Sequence, residues 1–360
     1  MTSEAQAAAP VPVTKSAGYR LGITGREWRN LAIAAVLFAL AAVVPLVGSG
    51  YVQSIAISIA IYTALATSWM LFSGPTNYIS LATAAFFGSG MYIVAGGLDL
   101  APYPVLVLLA GVAGALFAAV VGLATLRISG VYFVIFSLGL AELVRQIITW
   151  LQHVLGTMSG LYVYVDRSEE MFFWQLLALT AIVYLVGWWI GRSRLGFALR
   201  IIGNDEVVAA HSGINTARAK VILFVISCTF AAVMGALVAP RWSYVEPTVA
   251  FSPFLSFQVV IMSLLGGVHR LWGPLLGVIP FTLLWELISA NFPSQTTLLL
   301  GVAFLLIVYI IPNGVVGLVE DLVRRRRHAA EHISASPQSP VEGIGGSPKA
   351  VLQPTKGDNA

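Results

Sequence analysis

Long apolar stretches alternate with short polar turns along most of the sequence. A helix needs about 20 largely apolar residues to cross a hydrocarbon core of ~30 Å, because each residue adds ~1.5 Å. About ten stretches meet this requirement or come close to it. The pattern predicts membrane spans near 31–47, 52–72, 79–96, 104–126, 130–150, 172–190, 221–240, 255–271, 274–290 and 295–311.

The stretch 79–96 differs from the other predicted spans because Gly, Ala and Ser dominate it. This weaker apolar signal predicts a broken or re-entrant helix. Outside the spans, the pattern predicts a polar cytoplasmic tail at 1–30 and a largely disordered Ser/Pro/Gly-rich cytoplasmic tail at 319–360. The transmembrane domain is therefore expected to cover 31–318.

The composition shows which solvent the folded chain needs. Hydrophobic residues make up 58% of the chain and charged residues only 10%, with a mean hydropathy of +0.85. A soluble domain carries about 25% charged residues, because its surface faces water. We therefore predict an all-α polytopic integral membrane protein, in contact with membrane lipid. Cys228 is the single cysteine, which excludes a disulfide framework within the chain.

The basic residues predict the orientation of the spans. They concentrate before the first predicted span, between the sixth and the seventh, and after the last. Short loops rich in Lys and Arg remain in the cytoplasm. Even numbers of spans separate these three regions, so all three, with both termini, are predicted to be cytoplasmic. Because the positive charge borders lipid, we expect no nucleic-acid partner.

The segment 191–220 is the longest predicted cytoplasmic connection between spans, which suggests a structure of its own. Asp205 and Glu206 suit the start of a helix, and Gly213 suits its end. The pattern predicts a short helix over 205–212. Its surface would carry the small side chains Val207, Val208, Ala209 and Ala210. Such a helix allows close approach of a cytoplasmic protein; an amphipathic helix lying on lipid headgroups is the alternative.

Two ionisable residues fall inside the fifth predicted span. Glu142 and Arg145 are three residues apart, on one face of a helix, where they can neutralise each other. An ionised side chain at mid-membrane costs ~2.5–3.5 kcal/mol on insertion scales, so the pair requires a reason. Two readings remain open: the residues line a pathway or gate, or they form an internal ion pair near the outer interface.

Glycines near the eighth and ninth predicted spans indicate close helix packing. A turn is expected at Gly273–Pro274, at the cytoplasmic boundary of these two spans. The predicted packing residues are Gly266, Gly267, Gly273, Pro274 and Gly277.

Four stretches, taken together and in order, resemble the permease subunits of the branched-chain amino acid ATP-binding-cassette importers. They are Asn77–Tyr92, Leu126–Arg145, residues 205–215 and Ser263–Gly277. The first is similar to a Ser-x-Gly-x-Ala-Ala-Phe-x-Gly-x-Gly pattern that begins at Ser80. The chain departs from the family pattern at Ala82, Thr83, Gly203, His269 and Arg270.

The resemblance implies the larger of two sister permease subunits in a bacterial plasma (inner) membrane. It implies half of a translocation pathway, paired with the homologous sister subunit, and an extracytoplasmic solute-binding protein that delivers the substrate. Two cytoplasmic ATPase subunits would drive transport. The resemblance implies docking to them through Asp205, Glu206, Ala209, Ala210 and Gly213. Ser80, Glu142 and Arg145 are the expected pathway or gate residues. The solutes of such systems include branched-chain amino acids, urea, amides and aromatic acids.

The sequence contains no Gly-x-x-x-x-Gly-Lys-[Ser/Thr] phosphate loop, so ATP is expected to be used by partner subunits. We expect no catalytic residue, no metal and no cofactor bound by this chain. His328, Glu331 and His332 match a zinc-peptidase pattern, but we reject it because the string enters the predicted disordered tail. A secondary active transporter driven by an ion gradient is the alternative function, since such proteins also use broken helices and intramembrane charges.

Overall fold

The computed structural model describes residues 25–48, 50–125, 128, 130–156, 160–204, 206–268 and 270–310 of the 360-residue chain. Helices dominate these ranges, and one short antiparallel strand pair, β1 (Leu161–Tyr162) with β2 (Tyr244–Val245), joins them. The helices are α1 (Gly25–Val47), α2 (Gly50–Thr76), α3 (Thr83–Gly97), α4 (Tyr103–Thr125), α5 (Val131–Val154), α6 (Glu169–Arg192), α7 (Arg194–Asn204), α8 (Glu206–His211), α9 (Thr216–Trp242), α10 (Pro247–Ala250), α11 (Pro253–Gly266), α12 (Gly273–Asn291) and α13 (Thr296–Ile310).

The helices confirm the predicted fold class, an all-α polytopic membrane protein. Each predicted span coincides with a helix of the described chain. Within the described residues, 7 helical segments are long and apolar enough to cross a membrane: α2, α4, α5, α6, α9, α10 with α11, and α12. The apolar part of α1 is shorter, and α3 and the described part of α13 have 15 residues each. The total of about ten spans and the cytoplasmic termini therefore stay predictions.

The core of the domain is the crossing of α3 with α9, where two glycines bring backbones into contact. A Cβ on Gly90 would meet the carbonyl oxygen of Ala232, and a Cβ on Gly235 would meet that of Phe87. On α4, Gly114 faces the side chain of Ala232. Close approach of this kind drives helix association in lipid, because burial from lipid supplies no hydrophobic force.

Glycines bring the backbones of α11 and α12 close together in the hairpin that these helices form. A Cβ on Gly266 would meet the Gly273 carbonyl oxygen, and one on Gly277 would meet the Met262 carbonyl oxygen. Pro274 stands in the first turn of α12, where its missing N–H has no helical partner to lose. Gly267 acts differently from the prediction: its φ of 103° ends α11, a conformation that favours glycine.

The β1–β2 pair ties the α5–α6 connection to the end of α9. Leu161 pairs with Val245 and Tyr162 with Tyr244, whose ring centroids lie 5.0 Å apart. Tyr162 is 76% exposed. The predicted orientation puts this aromatic surface on the extracytoplasmic side.

Replacing Gly277 by Ala should destabilise the domain, whereas Gly139→Ala should not. The added methyl group at 277 collides with α11 backbone, while Gly139 on α5 has open space around it. Overpacking of this kind costs about 1–3 kcal/mol. The midpoint of thermal unfolding in detergent, followed by fluorescence-detected size exclusion, measures the difference. Equal midpoints for the two variants would contradict the proposed packing.

Cysteine labelling tests the predicted orientation. In a Cys228→Ala background, Leu100→Cys should react with a membrane-impermeant maleimide only from outside the cell. Ala210→Cys should react only in inside-out vesicles. Both positions are exposed, and the native Cys228 is buried, so the unmodified chain is the unlabelled control. Labelling of Ala210→Cys in intact cells would overturn the predicted topology.

Candidate functional site

The predicted cytoplasmic segment 191–220 contains two helices, α7 and α8. The short helix predicted over 205–212 is present as α8, although Asp205 lies outside the described residues. The longer α7 was not predicted. Its signal is the spacing of Leu195, Leu199 and Ile202, of which the last two are buried.

The outward surface of α8 is small and apolar. Val207 and Val208 are 63% and 54% exposed, and Ala210 is exposed as well. The prediction was wrong for Ala209, which is fully buried because this side of α8 packs inward. After α8, Gly213 has a φ of 79°, and its N–H donates to the Ala210 carbonyl at 3.1 Å. Gly213 thus ends the helix as predicted.

The Glu206 carboxylate is tied to the interior of the chain. Its Oε1 accepts from Lys220 Nζ at 2.5 Å, and the same Nζ donates to the Tyr78 hydroxyl at 3.0 Å. The Nζ also lies 4.2 Å from the centroid of the Tyr78 ring, a cation–π contact. The Lys220 side chain is 2% exposed. Removing Glu206 would leave the buried Lys220 ammonium without its charged partner, which is unfavourable.

Tyr78 belongs to a non-helical stretch, residues 77–82, between α2 and α3. Two backbone groups of this stretch bond to side chains of neighbouring helices. The Ser80 carbonyl accepts from Trp69 Nε1 on α2 at 2.7 Å, and the Leu81 N–H donates to Ser137 Oγ on α5 at 2.9 Å. Ser80, an expected pathway residue, is buried. The predicted break in the 79–96 span therefore lies at its beginning.

A second contact joins this stretch to the cytoplasmic helices. Asn77, with a φ of 56°, donates from Nδ2 to the Gly203 carbonyl on α7 at 3.0 Å. A Cβ on Gly203 would lie 2.8 Å from the Pro75 carbonyl oxygen. The glycine that replaces the family's usual arginine thus lets α7 approach the end of α2.

Glu142 and Arg145 form the ion pair that their spacing predicts. Arg145 Nε donates to Glu142 Oε2 at 2.8 Å, a second bond joins Arg145 Nη2 to Glu142 Oε1, and Gln146 donates to the same oxygen at 2.9 Å. The pair lies near the middle of α5, with the side chains of Glu142 and Arg145 48% and 26% exposed. Apolar neighbours on α5 are exposed with it, namely Ile135, Leu143 and Ile147.

Sequence reasoning did not find a polar cavity of about 150 Å³ between α2, α11 and α12. The Tyr62 hydroxyl donates to Gln258 Oε1 at 3.0 Å at this cavity. The Thr282 hydroxyl is buried and has no hydrogen-bond partner among the described residues. The polar residues that line the cavity are Ser54, Ser58, Tyr62, Gln258, Thr282 and Glu286. Ser54, Ser58 and Tyr62 recur at every fourth position of α2, and this spacing is the feature of the sequence that indicates a polar face.

A larger cavity, of about 480 Å³, lies between the ends of α2 and α6, the helix α7 and the loop before α12. Glycines and apolar side chains line most of it, with Arg200 at its edge. The predicted orientation puts this cavity on the cytoplasmic side and the polar cavity on the opposite side.

Comparisons with known proteins agree with the membrane architecture. The family model described as "Branched-chain amino acid transport system / permease component" matches residues 51–311. The high-affinity branched-chain amino acid transport system permease protein LivM of Escherichia coli (strain K12) is 25% identical over 86% of this chain and 80% of its own length. LivH of Salmonella typhimurium is 26% identical over 43% of this chain and 52% of its own.

A third relative carries a different name. The ribose import permease protein RbsC of Haemophilus influenzae is 31% identical over 28% of this chain and 33% of its own length. The likeness to LivM covers far more of the chain than the likeness to LivH or RbsC. Since the family match covers most of the apolar helices, the chain belongs to the branched-chain amino acid transport system permease family and is a multi-pass protein of the bacterial plasma membrane.

Proposed function

We propose that this chain is one permease subunit of an ATP-driven importer. In this proposal it forms half of the translocation pathway for branched-chain amino acids or a related small solute. The main support for this proposal is the short helix α8. It exposes small apolar side chains, and the contacts of Glu206 and Lys220 bond it to the non-helical stretch between α2 and α3. A surface loop that binds no other protein would not need this attachment to the membrane helices.

The exposed face of α5 supports pairing with a sister permease subunit. An ion pair in contact with lipid at mid-membrane is costly, so a protein partner or an aqueous pathway is the favourable environment for Glu142 and Arg145. The relatives LivM and LivH are both named as permease proteins of a branched-chain amino acid transport system. In the proposed assembly, α5 faces the sister subunit, and the ion pair borders the pathway or gate.

The surface of α8 fits a groove on a cytoplasmic ATPase subunit. Val207, Val208 and Ala210 provide contact area without long side chains, and Gly213 ends the helix sharply. Two ATPase subunits, one for each permease, would hydrolyse ATP, while this chain contributes neither catalysis nor a cofactor site. In this scheme Glu206 belongs both to the surface of α8 and to its attachment to the interior. Its side chain is half-exposed, and its carboxylate is bonded to the buried Lys220.

The opposite side of the domain fits delivery by an extracytoplasmic solute-binding protein. The exposed tyrosines of the β1–β2 pair offer a docking surface, and the polar cavity between α2, α11 and α12 lies on the same predicted side. Hydroxyl, amide and carboxylate groups in that cavity suit a small polar solute. We propose a small polar solute, and branched-chain amino acids are the first candidates. One relative is named a ribose permease, so the proposal extends to other small polar molecules.

A secondary active transporter is the competing function, since the interrupted helix and the mid-membrane ion pair also occur in that class. Reconstitution in liposomes separates the two. The importer proposal expects uptake of radiolabelled leucine only with the sister permease, both ATPases, ATP and the binding protein. Uptake by this chain alone under an ion gradient would overturn it. Ion-gradient ionophores serve as the control, because they should not affect ATP-driven uptake.

Replacing Ala210 by Trp should uncouple ATP hydrolysis from uptake, because a bulky side chain on the exposed face of α8 prevents close docking. We expect uptake to fall about tenfold or more, an effect in the range of a lost interface core contact. Ala290→Trp is the matched control, since Ala290 is an exposed alanine at the other end of the domain. ATP-dependent uptake per assembled complex measures the effect. Normal uptake by the Ala210 variant would contradict docking through α8.

A further inference from the structure

Lys220 is the one lysine among the fully buried large side chains of the described residues. Its ammonium has two polar partners on two different elements: Glu206 on α8, 2.5 Å away, and Tyr78 in the stretch 77–82, 3.0 Å away. Lys220 itself stands in the second turn of α9. The ammonium therefore connects three parts of the chain that are separated in sequence by up to 142 positions.

We propose that Glu206, Lys220 and Tyr78 form a bridge that transmits displacement of α8 to the stretch 77–82, with Lys220 as its positioning residue. The inference rests on the proposed function for the source of the displacement, namely ATPase subunits acting on α8. It adds the residues that carry the movement inward.

The bridge is stiff because its centre is a buried charge. Separating Lys220 from Glu206 would leave an ammonium out of water with one neutral partner, which is strongly unfavourable. This bond and the buried methyl group of Ala209 both hold α8 against the interior of the chain. Moving α8 while the bond persists therefore moves Lys220 and the Tyr78 side chain bonded to it.

A second hold acts on the same stretch from α7. The Asn77 side chain donates to the Gly203 carbonyl at 3.0 Å, one residue before Tyr78. The positive φ of Asn77 marks the point where the chain leaves α2. Two successive residues of the interrupted stretch are thus bonded to the cytoplasmic segment, one to α7 and one to Lys220.

The stretch 77–82 and the first turn of α3 pass the movement on through hydrogen bonds of their backbone amides. Leu81 N–H donates to Ser137 Oγ on α5, and Ala84 N–H donates to Ser256 Oγ on α11, each at 2.9 Å. Ser137 precedes the Glu142–Arg145 pair on α5, and Ser256 precedes the cavity residue Gln258 on α11. A shift of Tyr78 is therefore communicated to α5, which carries the Glu142–Arg145 pair, and to α11, which carries the cavity residue Gln258.

The test compares substitutions in the bridge within the complete transporter. Lys220→Met removes the charge and keeps an unbranched side chain. Tyr78→Phe removes the hydroxyl acceptor and keeps the ring, and Glu206→Gln removes the carboxylate charge at constant size. Arg218→Met is the matched control, because Arg218 lies two residues earlier on α9 with an exposed side chain.

The readout is the number of solute molecules imported per ATP hydrolysed by assembled complexes purified by size exclusion. We expect Lys220→Met to lower this ratio about tenfold and Tyr78→Phe about twofold, while Arg218→Met leaves it unchanged. A residue that only stabilises the fold would reduce the yield of complex but not this ratio. If Lys220→Met does not assemble, the conservative variants Tyr78→Phe and Glu206→Gln carry the test.

The possible outcomes separate this inference from the proposed function. Wild-type complexes that show no ATP-driven uptake would overturn the proposed function and the bridge with it. Coupled uptake by wild type, with an unchanged ratio in all three bridge variants, would overturn the bridge alone. A lowered ratio in the bridge variants, with the Arg218 control unchanged, supports transmission through Lys220.

Discussion

The non-helical stretch 77–82 between α2 and α3 leaves backbone N–H and C=O groups without helical partners, and the buried ones among them need other partners. The stretch 77–82 meets this constraint with side chains from other helices: Trp69 donates to the Ser80 carbonyl, and Ser137 accepts from the Leu81 amide. Each of these bonds satisfies the break and also fastens it to another part of the domain. The stretch 77–82 is thus the point at which α2, α5 and the cytoplasmic segment are connected.

Charged side chains inside the domain also need polar partners, and they find them in two different ways. Lys220 finds its carboxylate, hydroxyl and aromatic partners within the chain, so it links α8 and α9 to the break. Glu142 and Arg145 pair with each other, yet they stay exposed on α5. The first arrangement is complete in one subunit, whereas the second is completed favourably by a protein partner or an aqueous pathway. Lys220 and its partners therefore form a coupling element within the subunit. The Glu142–Arg145 pair instead marks the expected interface with another subunit.

The sequence predicted those features that depend on local pattern. The apolar stretches predicted the helices, the Gly/Ala/Ser-rich stretch 79–96 predicted a broken or re-entrant helix, and Glu206 and Gly213 predicted the start and the end of α8. The face of α8 was predicted less well: Ala209 is buried, because orientation depends on what α8 packs against. Lys220 lies in the basic region between the sixth and seventh predicted spans, whose charge predicts only the orientation of the spans. Its pairing with Tyr78, and that of Tyr62 with Gln258, joins residues 142 and 196 positions apart, which no local pattern encodes.

The central claim is that movement of the cytoplasmic helix reaches the membrane through a buried ammonium. Hydrogen–deuterium exchange of the backbone amides of residues 77–82 tests it directly, in the full assembly with and without ATP. The account predicts that nucleotide changes the exchange of these amides in the wild-type assembly and has no such effect when Lys220 is Met. Exchange that ignores nucleotide in wild type, or responds equally in both proteins, would contradict it.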